Sequence, residues 1–420
     1  MSYFNIIAVP ESQPASIRLD GMGSAWPVAT QRTRADEDIS VESMASEDLL
    51  RIVPDWLGLL ERALDPNVFM DPAFGLSAGK SAAWRRVVAL SAWRGCNGGK
   101  TLVGLWSFAI RYPAHSLVKV PVLRAPVCPH AYLGAPVIDR HAPDRVLDAL
   151  LSAVERDASL PKTIMLDPAD VDSETMRALA RVLDARGSAS FAANMAHRPL
   201  LRSDLDGKSY LEKSLSGSTR KKLRQHRRRL EEKGKLEFRI ASEPGAVRKA
   251  FDTFMALERR GWKGRRGTAL LDSADESSSA AAMIAELSEQ RRAAVHALYL
   301  DQKPISMQVV LRAGNVAFTW KTAYDEAFGD YSPGMLLLEE YTRELLADKS
   351  IDHVDSCAYD DSGFMSAWAD RRRIGQVWIN ASRGPSFAFD TMRRVHFACL
   401  EARRRAKKMT ASWRRKWMRR

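Results

Sequence analysis

Two similar segments about 200 residues apart constrain the fold of this chain more than any other feature of its sequence. The first, RVVALSAWRGCNGGKTLVGLWSFAIR, begins at Arg86, and the second, RAAVHALYLDQKPISMQVVLRAG, begins at Arg292. Each has the pattern of a strand, a turn, a lysine and a second strand. The repeat predicts an internal duplication and therefore a chain built from two related halves.

Apolar periodicity extends a similar order of elements through both halves. In the first half it predicts helices over 47–64, 144–156 and 173–185, a hairpin from 86–91 and 101–110, and a strand over 163–166. In the second half it predicts helices over 218–233, 244–260 and 333–347, and strands over 236–240, 294–300, 305–311, 316–323 and 351–357. Alternating strands and helices predict an α/β fold of two tandem lobes, each a mixed twisted sheet flanked by helices.

Composition divides the chain into four predicted parts. Residues 1–45 mix proline, serine, glycine and charge without a period, which predicts a flexible N-terminal arm. The first lobe spans 46–200, the second lobe spans 201–384, and a basic C-terminal helix or tail spans 385–420. Arg393 to Arg420 contain 12 lysines and arginines and one acid, Glu401, and account for most of the net charge of +13.

The sequence lacks the features of exported and membrane-spanning proteins. Its N-terminus has no apolar signal core, and no apolar run reaches the roughly 18 residues that a spanning helix needs. The four cysteines are widely separated, and the eight histidines have no spacing typical of a metal site. These patterns predict a cytoplasmic protein with no disulfide framework and no bound metal.

The segment best suited to chemistry is AFTWKTAYDEAFGDYSPGMLLLEEYTRELL, in which an aromatic-rich strand leads into a helix. Ser332 suits the N-cap, Pro333 suits the first helical position, and Gly334 lets an anion approach the backbone closely. Free N–H groups and the helix dipole favour a phosphate at such a helix start. The segment therefore indicates a pyrophosphate site or, alternatively, only a well-capped helix.

Five motifs carry a resemblance to a known family. They are SLSGSTRKKLRQHRRRLEEKG from Ser214, FMALERRGWKG from Phe254, KPISMQVVLRAGN from Lys303, TAYDEAFGDYSPGMLLLEE from Thr322, and VDSCAYDDSGFMSAWADRRR from Val354. In this order they resemble the two-lobed acyltransferases of the GNAT superfamily grouped as CelD-like or BioF2-like, which are related to the FemAB aminoacyl transferases. The resemblance covers about residues 69–382 and implies two GNAT-like lobes, the first of them degenerate.

The resemblance implies transfer of an acyl group, acetyl in the simplest case, from acyl-CoA to an amine or hydroxyl. It places the CoA pyrophosphate at the helix start and the thioester along the preceding strand. The implied cofactor-binding residues are Tyr331, Ser332, Pro333, Gly334 and Met335. The implied catalytic residues are Asp325 and Asp355 as bases, and Tyr324 and Tyr359 as acids or orienting groups.

The basic run from Arg220 to Arg229 has two interpretations. It is either a solvated helix with Leu223 and Leu230 packed inward, or a site for the phosphate or carboxylate groups of an acceptor. The candidate substrate-binding residues are Arg220, Lys221, Arg224, Trp262 and Gln308. The expected acceptor is a small molecule or a sugar-linked group, for example in envelope or exopolysaccharide synthesis.

Two further functions remain open from the sequence. The basic helix suits a FemAB-like transferase that uses aminoacyl-tRNA, the one reading in which nucleic acid is the main partner. A non-catalytic accessory role in polysaccharide synthesis also remains open, because the sequence departs from the family in two places. The matching segment of the first lobe, HAYLGAPVIDR from His130, has no S-P-G turn, and the lysine that the family often has before the last tryptophan is absent before Trp368.

The basic C-terminal segment has three interpretations. Arginines beside Trp413 and Trp417 suit an anionic membrane surface, which would place the protein at the inner face of the membrane. A disordered, solubilising tail is the second interpretation, and unspecific binding to nucleic acid is the third.

Overall fold

The computed structural model describes residues 39–77, 87–96, 99–112 and 120–417. Most of the predicted N-terminal arm, residues 1–38, lies outside the described residues. The last part of that arm, Ile39–Ala45, is a strand. It pairs antiparallel with residues 88–94, in a register that runs from Ile39↔Arg94 to Ala45↔Val88. The sheet therefore begins inside the segment that the composition assigned to the arm.

Thirteen strands of the described residues form one mixed sheet. The spatial order is β1-β2-β3-β4-β6-β13-β7-β12-β11-β10-β9-β8, with β5 beside β3. In chain order the strands are β1 (Ile39–Ala45), β2 (Val87–Cys96), β3 (Gly99–Arg111), β4 (Val122–Ala125), β5 (Val137–Ile138), β6 (Thr163–Asp170), β7 (Ser190–Leu201), β8 (Leu236–Ala241), β9 (Ala293–Leu300), β10 (Lys303–Ala313), β11 (Val316–Tyr324), β12 (His353–Asp355) and β13 (Asp370–Asn380).

Helices cover both faces of this sheet. In chain order they are α1 (Val53–Glu61), α2 (Pro72–Ser77), α3 (Pro143–Arg156), α4 (Glu174–Arg186), α5 (Gly207–Ser214), α6 (Gly217–Glu231), α7 (Pro244–Arg260), α8 (Trp262–Arg265), α9 (Ala274–Glu289), α10 (Pro333–Ala347) and α11 (Phe387–Trp417). Short 3₁₀ helices precede α1 at Ser46–Ile52 and α10 at Glu326–Tyr331.

The two halves of the sheet repeat one pattern. In the first half, β1 to β4 are antiparallel neighbours, and a crossover through α3 leads to β6, which is parallel to β4. In the second half, β8 to β11 are antiparallel neighbours, and a crossover through α10 leads to β12, which is parallel to β11. This order confirms the predicted α/β class and its two tandem lobes.

The chain exchanges segments between the two lobes. Strand β13 returns from the C-terminal half to lie between β6 and β7, where a free sheet edge would otherwise remain. In the opposite direction, the loop after β4 leaves the first lobe, and its Ala131 and Leu133 are buried in the core of the second lobe. Each half therefore includes a segment of the other, so the lobes are not independent units, and the boundary at residue 200 stays a prediction.

Each face of the second-lobe sheet has its own core. Helices α7 and α9 cover one face, where Phe251 and Trp320 are stacked with ring centroids 6.2 Å apart. Helices α5, α6 and α10 cover the other face around Tyr341. The α6 helix buries Leu223 and Leu230 there, as predicted, and most of its basic residues are exposed, whereas Arg227 pairs with Glu340 of α10 at 2.5 Å.

Candidate active site

Strands β11 and β12 separate near their carboxyl ends. They pair only from Val316↔His353 to Phe318↔Asp355, and the remainder of β11 has no strand on this side among the described residues. β12 ends at Asp355, and two residues later the chain turns away with a left-handed backbone at Cys357, where φ is 54°. The result is a gap at the carboxyl ends of parallel strands, a common place for ligands in α/β proteins.

A β-bulge distorts β11 beside this gap. The pairing of β10 with β11 shifts between Val309 and Val310, which leaves Trp320 as an extra residue. The buried amide of Gln308 stabilises the bulge by donating to the carbonyls of Lys321 (2.9 Å) and Val309 (3.0 Å). Trp320 therefore packs on the α7 and α9 face, and the charge of Lys321 interacts with carboxylates of both helices.

Titratable side chains from both lobes meet on that face. We call them the interlobe cluster, which consists of His130 from the loop after β4, Glu258 on α7, Lys263 on α8, Glu276 on α9 and Lys321 on β11. His130 Nε2 lies 3.1 Å from Glu276 Oε2, and Lys263 Nζ lies 2.7 Å from Glu258 Oε1. Glu258 is buried, whereas 45% of the Glu276 side chain is exposed, so the cluster opens to solvent on the Glu276 side.

Two buried donors hold the first-lobe loop against the second lobe. Trp320 Nε1 donates to the carbonyl of His130 at 2.9 Å, and Arg198 Nη1 donates to the carbonyl of Tyr132 at 3.2 Å. The rings of Trp320 and His130 also meet edge to face, with centroids 6.4 Å apart. The position of His130 therefore depends on contacts with strands β11 and β7.

Lys321 is a cation in a poorly solvated place. Burial lowers its pKa to about 8, although Glu258 and Glu276 favour the charged form. No carboxylate of the described residues lies within 4.0 Å of its Nζ, which instead lies 5.3 Å from the Trp320 ring centroid. An amine of this kind can stabilise a developing negative charge and can exchange a proton near neutral pH.

His130 and Glu276 form an acid–imidazole pair. Burial lowers the pKa of His130 below its usual value, so the imidazole is neutral at pH 7, while the hydrogen bond to His130 lowers the pKa of Glu276. With Nε2–H assigned as the donor to Glu276, Nδ1 is left as a proton acceptor. Cys128 in the same loop is no nucleophile, because burial raises the pKa of its thiol to about 11.

The predicted pyrophosphate residues lie together at the start of α10, on the opposite face of the sheet. Ser332 is the N-cap residue in a left-handed conformation, but its side chain makes no capping bond. Its carbonyl accepts the N–H groups of Met335 and Leu336, and Pro333 has none. The expectation of several free N–H groups is therefore wrong, since the described contacts leave only that of Gly334 in this turn.

The surroundings of α10 nevertheless suit an anion. The nearest atom to a Cβ built on Gly334 is Cε1 of Phe364 at 4.0 Å, so the backbone there is open. The first turn contains no acid, and Lys233 Nζ lies 5.8 Å from the ring centroid of Tyr331. One free N–H, the helix dipole and the nearby lysine therefore favour a phosphate group, although the sequence predicted more than one free N–H.

Tyr324 and Asp325 lie where β11 ends, as predicted. Asp325 caps the following 3₁₀ helix by accepting the N–H of Ala327 at 3.0 Å, and it lies 2.6 Å from Lys303 Nζ. Burial opposes its charge, but these two partners keep the pKa of Asp325 below its usual value. Its oxygens are thus committed to structure, which disfavours the predicted role as base.

Asp355 occupies the buried junction of the lobes. It is fully buried, lies 2.6 Å from Arg372 Nη1 and 3.3 Å from Arg198 Nη1, and accepts the N–H of Cys357 at 2.7 Å. Burial opposes ionisation, yet the two arginines keep the pKa of Asp355 below its usual value. The geometry corrects its predicted role from catalytic base to structural counter-ion.

The other predicted residues are scattered around the site. Tyr359 is 66% exposed and its ring centroid lies 5.6 Å from that of Tyr132. Gln308 is buried in the bulge and not open to an acceptor. Trp262 has an exposed side chain beside the Asp325 loop, where its backbone N–H donates to Glu326. On α6, Lys221 and Arg224 are exposed and Arg220 is half-buried, all on the α10 face.

Sequence reasoning missed the interlobe cluster. Lys321 did give a signal, since it is the one charged residue in the strand VAFTWKTAY. His130 and Glu276 gave none, because His130 lies in a loop and Glu276 in an ordinary polar first turn of α9. Only the fold brings them together.

The described residues contain no helix long and apolar enough to cross a membrane, and no group of three His, Cys, Asp or Glu suited to a metal ion. The absence of a metal cofactor therefore stays a prediction.

Residues 217–364 match the model of an acetyltransferase (GNAT) domain. Among solved structures the chain is similar to FemX, with 13% identity, a TM-score of 0.50, and coverage of 80% of this chain and 96% of that chain. It is also similar to the C-terminal DUF2156 domain of a putative lysylphosphatidylglycerol synthetase from Agrobacterium fabrum, at 13% identity and a TM-score of 0.49, with 83% and 95% covered.

A tandem GNAT protein from the clavulanic acid biosynthesis pathway is similar at 15% identity and a TM-score of 0.41, with 83% of this chain and all 100% of that chain covered. No curated protein matches the sequence. The domain match and the likeness to FemX confirm the resemblance at the level of fold. Assignment to the CelD-like or BioF2-like group stays a prediction.

Proposed function

We propose that this two-lobed GNAT protein of FemAB-like fold is an acyltransferase that moves an acyl group from acyl-CoA to an amine or hydroxyl. The observation that carries the proposal is the interlobe cluster beside the gap between β11 and β12. There a neutral imidazole, a carboxylate and a poorly solvated lysine lie next to the part of β11 that no longer pairs with β12.

The arrangement separates donor and acceptor onto the two faces of the sheet. The helix start at Gly334 lies on the α10 face, whereas His130 and Lys321 lie on the α7 and α9 face. In this proposal the gap between the ends of β11 and β12 connects the two faces. A donor held at α10 through its phosphates would therefore present its thioester in the gap, and the acceptor would approach from the interlobe cluster.

The cluster supplies the groups that acyl transfer needs. His130 Nδ1 takes the proton of the acceptor while Glu276 holds the imidazole in place. The acceptor nitrogen or oxygen forms a bond to the thioester carbon, and the ammonium of Lys321 stabilises the negative charge on the carbonyl oxygen. The C–S bond then breaks, and the proton returns from His130 to the CoA sulfur, so atoms and charges balance.

The finer parts of the proposal rest on the sequence. Acetyl-CoA is the simplest donor, and a small or sugar-linked acceptor of envelope or exopolysaccharide synthesis agrees with the family resemblance. The experiment is a thiol-release assay with acetyl-CoA and longer acyl-CoAs against a panel of amino sugars, sugars and amino acids. Acceptor-dependent thiol release supports the proposal, and its absence with every donor would leave the accessory-protein alternative.

Lys321→Met is the first variant for this assay. Loss of the ammonium should lower kcat by about 10²–10³, the range found for single donors to a reacting oxyanion. Since its depressed pKa shows that the fold disfavours the charge, we expect Lys321→Met to raise the free energy of unfolding by roughly 1–3 kcal/mol at pH 7. That gain should vanish as the pH rises from about 8 towards 10.5, because the amine of the unfolded chain then also loses its proton.

Lys249→Met, at an exposed position of α7, is the matched control and should change neither kcat nor stability. A Lys321→Met protein that is as active as wild type, or clearly less stable, would contradict the role given to this lysine.

Aminoacyl-tRNA is the second candidate donor, and one observation favours it. The exposed face of α6 carries Lys221, Lys222, Arg224 and Arg229 beside the start of α10. Such a face attracts a phosphate backbone in a strongly salt-dependent way. Transfer from charged tRNA but not from acyl-CoA, lost in an Arg224→Gln/Arg229→Gln variant, would decide for this donor.

For the C-terminal segment we propose peripheral binding to anionic membranes. α11 begins by packing on the first lobe through buried Phe389 and Met392 and the ring of His396, 5.0 Å from that of Trp378. The side chains of Trp413 and Trp417 lie outside the described part. Each basic residue near anionic lipid contributes about 1 kcal/mol, and salt weakens the attraction.

A chain ending at Leu400 keeps the packed part of α11 and tests this proposal by sedimentation with phosphatidylglycerol vesicles. The full chain should pellet at low salt and the shortened chain should not. Equal pelleting of both would exclude the tail as an anchor, and retention on RNA alone would favour the tRNA alternative.

A further inference from the structure

A groove of about 1160 Å³ lies outside the interlobe cluster, on the outer side of the second lobe. It runs between the carboxyl end of α7, the turn joining β9 to β10, and the 3₁₀ helix after β11. Its lining combines cations with apolar surface and includes Arg259, Arg260, Lys303, Leu271, Leu300 and Phe328.

Arg260 is the least committed of these cations. Within the described residues no carboxylate lies within 4.0 Å of it, and it forms no hydrogen bond. Arg259 reaches Asp272 only at 3.6 Å. In contrast, Arg248 on the same helix lies 2.5 Å from Glu289, so exposed arginines of α7 do find partners when carboxylates are available.

The carboxylates around the groove are already engaged. Asp325 is held by Lys303 and the N–H of Ala327, and Asp301 accepts the N–H of Lys235 at 2.8 Å. Arg260 still acts on Asp325 through space, since it helps to lower the pKa of that carboxyl. The residues that line the groove therefore include three cations and one acid, Asp301, and Arg260 is the cation that has no carboxylate within 4.0 Å among the described residues.

The apolar part of the groove lies next to these cations. Phe328 lies below Lys303, whose Nζ is 5.2 Å from the ring centroid. Leu271 and Leu300 complete the apolar surface. A ligand that has both an anionic group and an apolar or ring portion would satisfy both parts at once.

We infer that this groove binds a phosphate or carboxylate group of the acceptor through Arg259 and Arg260. This deepens the proposed function and rests on it in one respect, namely that the ligand is the acceptor. The location fits, because Lys303 ties the groove to Asp325 at the end of β11, the strand that carries Lys321. A guanidinium suits both groups, since its planar donors match either anion with two parallel hydrogen bonds.

Direct binding tests the groove without any assay of acyl transfer. The probes are phenyl phosphate and benzoate, which share a ring and differ in the anion, and they are titrated by ligand-observed NMR at low salt. We expect wild type to bind at least one probe, and phenyl phosphate more tightly than inorganic phosphate. Binding of one probe alone would assign the anion, and binding of both would show that the site takes either.

Arg260→Gln is the decisive variant, and Arg248→Gln is its control on the same helix. Arg260→Gln should weaken probe binding about tenfold or more, as expected for loss of a charge-assisted contact, while Arg248→Gln binds like wild type. Arg259→Gln, which should also weaken binding, provides a second variant, and thermal unfolding verifies that each protein is folded.

Absence of binding by wild type, or equal binding by the Arg260→Gln and Arg248→Gln proteins, would overturn the inference. Neither result would affect the acyl transfer proposal, which depends on the interlobe cluster. Conversely, a protein that binds the probes but transfers no acyl group would keep the anion site and lose the proposed reaction.

Discussion

The crossover units of the two lobes share one architecture but differ at the helix start. In the first lobe α3 begins with Pro143–Asp144, and in the second lobe α10 begins with Pro333–Gly334. Asp144 places a carboxylate in the first turn of α3, where it pairs with Arg181 at 2.6 Å. The first turn of α10 has no acid and an open backbone at Gly334. Only α10 is therefore suited to an incoming phosphate.

The loops after the parallel strands differ as well. After β11 the chain turns within a short 3₁₀ helix and stays in its own lobe. After β4 the chain crosses to the second lobe, where it buries Ala131 and Leu133 and positions His130. The first lobe thus has an acid at the start of its crossover helix, and it contributes a loop to the interlobe cluster. In this way the two lobes of a duplicated fold can contribute different residues to one cluster.

His130→Asn removes the contribution of the first lobe and should have the largest effect on turnover. We expect kcat/KM to fall by about 10²–10⁴, because the acceptor then has no base. The pKa of His130 is lowered, so wild type should lose activity only below the usual imidazole pKa of 6.5, as the ring becomes protonated. This acid limb of the pH profile of kcat/KM should be absent in the variant.

His141→Asn is the matched control. His141 is another first-lobe histidine paired with a carboxylate, at 2.7 Å from Asp139, and it is outside the interlobe cluster. It should retain wild-type kcat/KM and the acid limb. A His130→Asn protein with the same profile would show that the first-lobe loop has no chemical role.

Asp355→Asn breaks the junction between the lobes. It leaves Arg198 and Arg372 buried without their counter-ion, which costs about 3–5 kcal/mol in comparable cases. Because the pKa of Asp355 is lowered in the fold, its stabilisation is present above the unfolded pKa and is lost as pH falls through the folded value. Urea unfolding at pH 7 should therefore show a strong loss of stability.

The control is Asp172→Asn, which removes a half-exposed carboxylate paired with the neighbouring Arg373. Surface pairs of this kind contribute about 0–1 kcal/mol, so little change is expected. If both variants unfold at the same urea concentration, the buried junction does not stabilise the union of the lobes.

Gly334→Asp makes the start of α10 resemble that of α3 and should have the smallest effect of the three. The added carboxylate meets the anion at the helix N-terminus, and we expect the Kd for CoA to rise about tenfold, with no change in fold. Calorimetric titration measures it. Gly334→Asn has the same size without the charge and should bind CoA nearly as wild type does, whereas equal affinity of all three proteins would remove α10 from the donor site.

Local pattern was enough for much of the second lobe. Helix α7 over Pro244–Arg260 and helix α10 over Pro333–Ala347 lie where periodicity places them, because their apolar spacing and proline starts are local signals. Strands β7 and β13 were missed. β13 begins with the charged run DRRR, so its sequence does not look buried, although Arg372 pairs with Asp170 of β6 and Arg373 pairs with Asp172 just after that strand.

The sequence by itself determined the class of fold, the repeat, and the strand-to-helix turn at Gly334, since each depends on residues close together in the chain. Tertiary structure decided the roles of individual side chains. Asp355 looked like a base until two arginines from β7 and β13 enclosed it. His130 carried no signal, because the bond that holds it to Trp320 joins residues 190 positions apart. Such contacts follow from how sheet and loops pack, which local periodicity does not encode.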